Sequence, residues 1–155
     1  ERIWPTATGK AMFSVFKGVH ENVVVEGEDV MRLVTLRSHD QYNTTIYAMD
    51  DRYRGVFGRR DVLFMNEQDM AAQGLEHGDR VDIHTALPGS ALTLEDITVV
   101  AYGIAPGTVG AYYPEANVLV PLNYLDEESG TPSYKSVPVR LTLRSKEIRP
   151  LAGGR

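Results

Sequence analysis

Short runs of aliphatic and β-branched residues, each closed by glycine, proline or a polar turn, recur along the chain, and a single segment carries the capping signals of a helix. Such a rhythm does not supply the long apolar stripes that helix packing needs, so the core must be built from a sheet. Many short strands also leave many unpaired edges, and closing the sheet on itself removes them. The expected fold is mainly β, a closed barrel with one or two short helices.

Element by element, Ala11 to Phe16 alternates like a half-buried strand, and the run VHENVVVEGED is a second extended patch closed by Gly27. Val30 to Leu36 is a stronger strand, dense in branched residues, and it empties into the polar run RSHDQYNTT. Ile46 to Met49 is expected to extend briefly, and Asp61 to Met65 to form a short buried strand. Asn66 is placed to cap a helix over NEQDMAAQ, with Asp69 at its positive end. Gly74 stops that helix in a left-handed conformation, and Leu75 folds back as the apolar partner of a Schellman-type cap. Gly78-Asp79 turns into RVDIHT, where Val81 and Ile83 share a face. DITVVAYGI is a long strand, Pro106-Gly107 fits a type II turn, and TVGAYY is the expected hairpin partner. ANVLVPL is a further apolar segment, DEESGTPS a surface loop, and VPVRLTL an alternating closing strand.

Length and composition narrow the function classes. A chain of 155 residues suits one domain spanning 1–155, with LAGGR at 151–155 a mobile tail. Hydrophobic residues make up 43% and charged residues 24%, as in ordinary globular proteins, so the chain is expected to fold. A net charge of -5 argues against a nucleic-acid partner held by bulk field, and any anion must be gripped locally. No apolar run reaches the roughly 20 residues that span a bilayer, and the opening segment lacks the order of a secretory signal. The expectation is a soluble, cytoplasmic chain without membrane contact. With no cysteine, thiolate zinc sites, iron–sulfur clusters and disulfides within these residues are excluded. A first residue that is glutamate points to an excerpt of a longer chain, any targeting signal lying upstream.

Three polar clusters each follow an apolar strand. Residues 37–45 form a plain hydrogen-bonded turn on the ordinary view, yet Arg37 offers a planar fork for phosphate, and Ser38, Asn43 and Thr44 add hydroxyl and amide groups. In YYPEAN, tyrosines beside proline are usually packing, while Asn117 carries both donors and acceptor and can read the amide edge of a pterin or guanine. In TPSYKS, a loop lysine is usually solvated, but Lys135 sits beside Tyr134 just before a strand, which limits its reach.

In this order, RLVTLRSHDQYNT, DRYRGVFGRRDVLFMNEQDMAAQGLEHGDRVDI, YYPEANVLVP and GTPSYKSVPVRL resemble the C-terminal molybdopterin dinucleotide-binding domain of the formate dehydrogenase and dimethyl sulfoxide reductase family. The resemblance is nearest to formate dehydrogenase-like alpha subunits. It implies a double-psi β-barrel closing over a bis-molybdopterin guanine dinucleotide carrying molybdenum, held between domains. Carried over by position, Arg37, Ser38, Gln41, Asn43 and Thr44 line a first cofactor loop, Asn117 recognises a pterin ring, and Tyr134 and Lys135 complete the far side. The implied partners are the catalytic and iron–sulfur-binding domains earlier in the same parent chain, which supply the metal ligand. The domain alone is then expected to be non-catalytic and cofactor-free, because small-molecule sites normally enclose about 70 to 90% of their ligand.

Other features receive plainer readings. His20, His39, His77 and His84 form no ligand pair and read as structural or surface residues. Arg52, Arg54, Arg59 and Arg60 read as a solvated face or, preferably, as a contact with another domain or a cofactor phosphate. Asn43-Thr44-Thr45 matches a glycosylation acceptor pattern that nothing else in the chain supports. Two rival functions remain for a stand-alone double-psi barrel. One is a pyruvoyl decarboxylase-like enzyme, self-cleaving at Gly89-Ser90 and forming its pyruvoyl group there; the other is an adaptor module.

Overall fold

A computed structural model describes residues 4–13, 27–126 and 129–146. Six strands, β1 (Met31–Leu36), β2 (Val62–Met65), β3 (Arg80–Thr85), β4 (Thr93–Ala101), β5 (Thr108–Tyr112) and β6 (Val137–Ser145), close into a barrel in the order β1-β5-β2-β4-β3-β6. One α-helix, α1 (Glu67–Ala72), and a short 3-10 helix (Glu115–Leu119) complete the described elements.

The barrel is a double-psi barrel by its own connectivity. β5 lies between β1 and β2, parallel to the first and antiparallel to the second, while β2 lies between β4 and β5. β1 and β2 thus straddle β5 while β4 and β5 straddle β2, and the two ψ-shaped crossings interlock. The expected hairpin between β4 and β5 is therefore corrected. The turn at Pro106-Gly107 does form, with Gly107 at φ 72 and the Thr108 amide donating to the Ala105 carbonyl, but β2 is inserted between the strands it joins. A tight turn fixes only local direction; the apolar partners Leu63 and Ala111 fix the register.

Alternation sorts the strand residues into two layers. Leu33, Leu63, Met65, Val81, Ile83, Val99, Val109 and Val139 fill the barrel, each essentially solvent-free. Burial of each such side chain contributes about 1.5–3 kcal/mol. On the outer face of the wall, Val62, Phe64, Val100 and Tyr112 form a smaller cluster roofed by Val56 of the long β1–β2 connection. That connection holds isolated bridges at Tyr42 with Ile46 and at Asp51 with Val56, and the brief strand expected at Ile46 to Met49 does not form.

The helix caps follow the sequence expectation. Asn66 accepts from the Gln68 amide at 2.9 Å, and its side-chain amide donates to the Ile104 carbonyl at 2.9 Å. Gly74 at φ 66 and Leu75 donate to Ala71 and Met70, the two bonds of a Schellman end. ANVLVPL, apolar but not extended, begins as the 3-10 helix, which packs Ala116 and Leu119 onto the core. Residues 86–92 join β3 to β4 as a hairpin loop. The early strand expected from Ala11 shows no strand at 11–13, and 14–16 lie outside the described residues, as do 19–26 of the second patch and the tail 151–155.

Candidate functional site

Strand direction gathers the polar loops at one end of the barrel. β1 and β5 run parallel with Leu36 beside Tyr112, so both terminate there. β6 starts there, because Val137 pairs with Leu33, and β2 starts there too, because Leu63 pairs with Ala111. β3 ends and β4 begins at the same rim, since His84 pairs with Thr93 and Thr85 with Val139. Residues 37–61, 86–92, 113–126 and 129–136, which include all three polar clusters, are therefore rim loops.

Besides a hollow lined only by Asp126, Ser129 and residues 131–136, two hollows open there. The first, of about 250 Å³, is lined by Leu36, Arg37, Thr44, Tyr113, Tyr134 and Lys135. Tyr113 and Tyr134 meet edge to face, with ring centroids 5.7 Å apart. The Lys135 ammonium donates to the Thr35 carbonyl at the end of β1. Burial pushes the Lys135 pKa down, and the Arg37 guanidinium pushes it further in the same direction. Among the described residues neither cation has a carboxylate partner, although the chain carries 21 acidic side chains against 16 basic ones. Two neighbouring cations without a carboxylate partner have the donor chemistry that suits an anion.

The second hollow, of about 590 Å³, lies between the hairpin loop at Leu87 to Leu92 and the segment Asn117 to Tyr124. Asn117 stands exposed on the 3-10 helix, and among the described residues its side-chain amide makes no hydrogen bond, which leaves donors and acceptor available. Of the sequence candidates, then, Arg37, Thr44, Tyr134 and Lys135 share one cavity, and Asn117 occupies the other hollow on the same rim. Ser38 and Gln41 stand behind the first cavity rather than in it. The Gln41 carboxamide donates to the Tyr113 carbonyl at 2.8 Å and to the Asn43 carbonyl at 3.2 Å, and accepts from the Ser38 amide at 3.2 Å. Asn43 holds a left-handed turn at φ 55.

The basic stretch is corrected in part. Arg52 is exposed, but Arg54 and Arg60 turn inward and Arg59 pairs with Asp61. Arg60, 4% exposed, donates from Nε to Glu115 at 2.6 Å, from Nη1 to Ser38 Oγ at 2.9 Å, and from Nη2 to Gln41 Oε1 at 3.0 Å and the Tyr113 carbonyl at 2.9 Å. Asp51, 1% exposed, accepts from Arg54 at 2.6 Å, from His39 at 2.9 Å and from the Tyr112 hydroxyl at 2.9 Å. Burial pushes the Asp51 pKa up, but those three bonds outweigh it and hold the carboxyl below its ordinary value. Arg54 also donates to the Arg37 carbonyl at 3.0 Å, so the network reaches the cavity. Sequence reasoning missed this inward turn because the partners of Arg60 lie as far as 55 residues away. The available signal was the branched and aromatic residues Val56, Val62 and Phe64 interleaved with the arginines.

His77 Nδ1 accepts from the Ala101 amide at 3.3 Å and His84 bonds Thr93; among the described residues no cluster of His, Asp or Glu could hold a metal ion. Ser90 sits in the hairpin loop with its hydroxyl 2.9 Å from Thr85 Oγ1. Among the described residues no helix is long and apolar enough to cross a membrane.

Residues 31–138 match the family described as the molydopterin dinucleotide binding domain. The chain belongs to that family. This molybdopterin dinucleotide-binding domain is 43% identical over 144 residues to protein YdeP of Escherichia coli K12, covering 91% of the chain. It is 47% identical over 145 residues to an uncharacterized oxidoreductase of Mycobacterium tuberculosis H37Rv, covering 90% of the chain. The domain spans about a fifth of the length of these relatives, 19% and 18%. Among solved structures, acetylene hydratase from Pelobacter acetylenicus superposes with a TM-score of 0.54 at 15% identity, over 74% of this chain and 18% of that one, which marks a shared fold. The donor chemistry of the rim fits the family's ligand class: paired cations and a hydroxyl suit a pyrophosphate, and an unbonded amide suits a heterocycle edge.

Proposed function

We propose that this domain is the cofactor-holding barrel of a larger formate dehydrogenase-like molybdenum oxidoreductase, and that its rim grips a bis-molybdopterin guanine dinucleotide. In this reading Arg37 and Lys135 neutralise phosphate, Thr44 and Tyr134 line the same cavity, Ser38, Gln41 and Asn43 set the loop, and Asn117 reads a ring edge. The bound group supplies the redox chemistry. The residues of this chain bind it, orient it and keep water from one face. The supporting observation is the meeting, within one small cavity, of two cations from loops far apart in sequence that have no carboxylate partner among the described residues. The family's relatives, several times longer than this chain, support a parent that supplies the remaining walls through its catalytic and iron–sulfur-binding domains.

The reading is tested in the full-length protein that carries this domain. Hydrogen bonds to a charged group contribute about 1.5–3 kcal/mol, so Arg37→Ala and Lys135→Ala should each weaken cofactor retention by roughly ten- to a hundredfold. Molybdenum and pterin per chain after gel filtration report it, with exposed Arg144→Ala as the control. Unchanged content in both rim variants rejects the reading. The isolated chain is expected to be folded, free of cofactor and inactive, and stoichiometric molybdenum in it would overturn that part.

A further inference from the structure

We infer that Arg60 is the positioning residue of the cofactor rim, tying the loop that carries Arg37 and Thr44 to the loop that carries Tyr113 and Asn117. The inference rests on the proposed cofactor reading and adds a residue that does not line either hollow.

The case begins with cost. A guanidinium 4% exposed to solvent is expensive to bury, and one salt bridge to a surface carboxylate would not need so much burial. Arg60 instead distributes its donors over both loops. From the first loop come Ser38 Oγ at 2.9 Å and Gln41 Oε1 at 3.0 Å. From the second come the Tyr113 carbonyl at 2.9 Å and both Glu115 oxygens, at 2.6 and 3.2 Å. Its charge centre also lies 4.0 Å from the Tyr47 ring and 4.7 Å from the Tyr112 ring, so aromatic faces hold the plane of the fork. Gln41 repeats the tie by donating to the same Tyr113 carbonyl.

The geometry determines what each contact controls. Ser38 follows Arg37 directly, and Tyr113 itself lines the cavity with Arg37 and Thr44. Glu115 is the first residue of the 3-10 helix that carries Asn117 into the second hollow. One planar fork thereby sets the distance between the two hollows. A lysine at the same place keeps the charge opposite Glu115, but its point-like ammonium cannot span acceptors on two loops in one plane.

The experiment uses the full-length protein purified with its cofactor. It compares Arg60→Lys, the double variant Arg60→Gln with Glu115→Gln, and Arg37→Ala. The measurements are the thermal midpoint and the rate at which molybdenum and pterin leave on dilution. If Arg60 only neutralises Glu115, Arg60→Lys rescues both measurements. A positioning role instead predicts a folded Arg60→Lys protein that loses cofactor at least tenfold faster than wild type. Should Arg60→Lys fail to fold, the double variant, which leaves no buried charge unpaired, carries the same tenfold expectation. Wild-type retention in a folded Arg60 variant, alongside loss in Arg37→Ala, overturns the role of Arg60 and leaves the cofactor reading standing. Wild-type retention in all variants overturns both.

Discussion

Replacing Asp51 by asparagine removes the charge at the centre of the network that supports the Arg37 loop. Asp51 is 1% exposed and its partner Arg54 has a side chain 15% exposed, so the pair is shielded from solvent on both sides. Breaking a buried pair by removing one partner costs about 3–5 kcal/mol, because the remaining charge is left uncompensated. A domain of this size has a total stability of about 5–15 kcal/mol. At roughly 2–4 °C per kcal/mol, the thermal midpoint should fall by roughly 6 to 20 °C. The pH dependence has a definite sign. Asp51 is held below its ordinary pKa in the folded chain and takes its ordinary value, about 3.9, when unfolded. Its contribution is therefore complete above the unfolded value and is lost as pH falls through the folded one. Urea unfolding of both proteins from neutral pH down to about pH 3 measures the gap between them. It should be constant near neutrality and narrow below about pH 4. A neutral gap below about 1 kcal/mol, or a gap that ignores acid, would refute the account of this network.

Three further outcomes are expected. In Gly110→Ala, the new Cβ would stand 2.7 Å from Leu36 Cδ1, so Leu36 must shift; because Leu36 lines the smaller hollow, a stability loss near the lower end of about 1–3 kcal/mol should accompany weaker cofactor retention, and urea unfolding with pterin assay checks both. Asn66→Ala removes both the cap to Gln68 and the bond to Ile104, and should cost about 1 kcal/mol or somewhat more without changing cofactor content, as equilibrium unfolding would show. Burial, reinforced by the Asp51 bond, pushes the Tyr112 pKa up, and burial does the same for Tyr124. Their neutral forms thus favour the folded chain fully below about pH 10 and progressively less above it. A tyrosinate absorbance titration should show a late fraction that becomes ordinary in denaturant.

The parts of this fold legible from sequence are those whose causes are local. Asn66, Gly74 and Leu75 specify both ends of α1 within one short stretch, and Pro106-Gly107 specifies its turn regardless of which strands it joins. Strand pairing is different, because Leu36 finds Tyr112 and Leu33 finds Val137 only through the closed core. The same division holds at the site. Arg37, Thr44, Tyr134 and Lys135 could be named from polar runs at strand ends, where a rim must lie. Arg60, Asp51 and Glu115 could not, since a charge reads as surface until distant partners and an aromatic roof enclose it.

The closing position of β6 sets a schedule for the molecule. β6 is the last of the described strands in chain order, it seals the barrel between β1 and β3, and the segment leading into it carries Tyr134 and Lys135. β1, the first of the described strands, has its strand neighbours in β5 and β6, which follow it far along the chain. Long-range pairing of this kind is slow, because a long loop must close before its contacts form. The cavity between Arg37 and Lys135 consequently cannot form before the residues of β6 have been made.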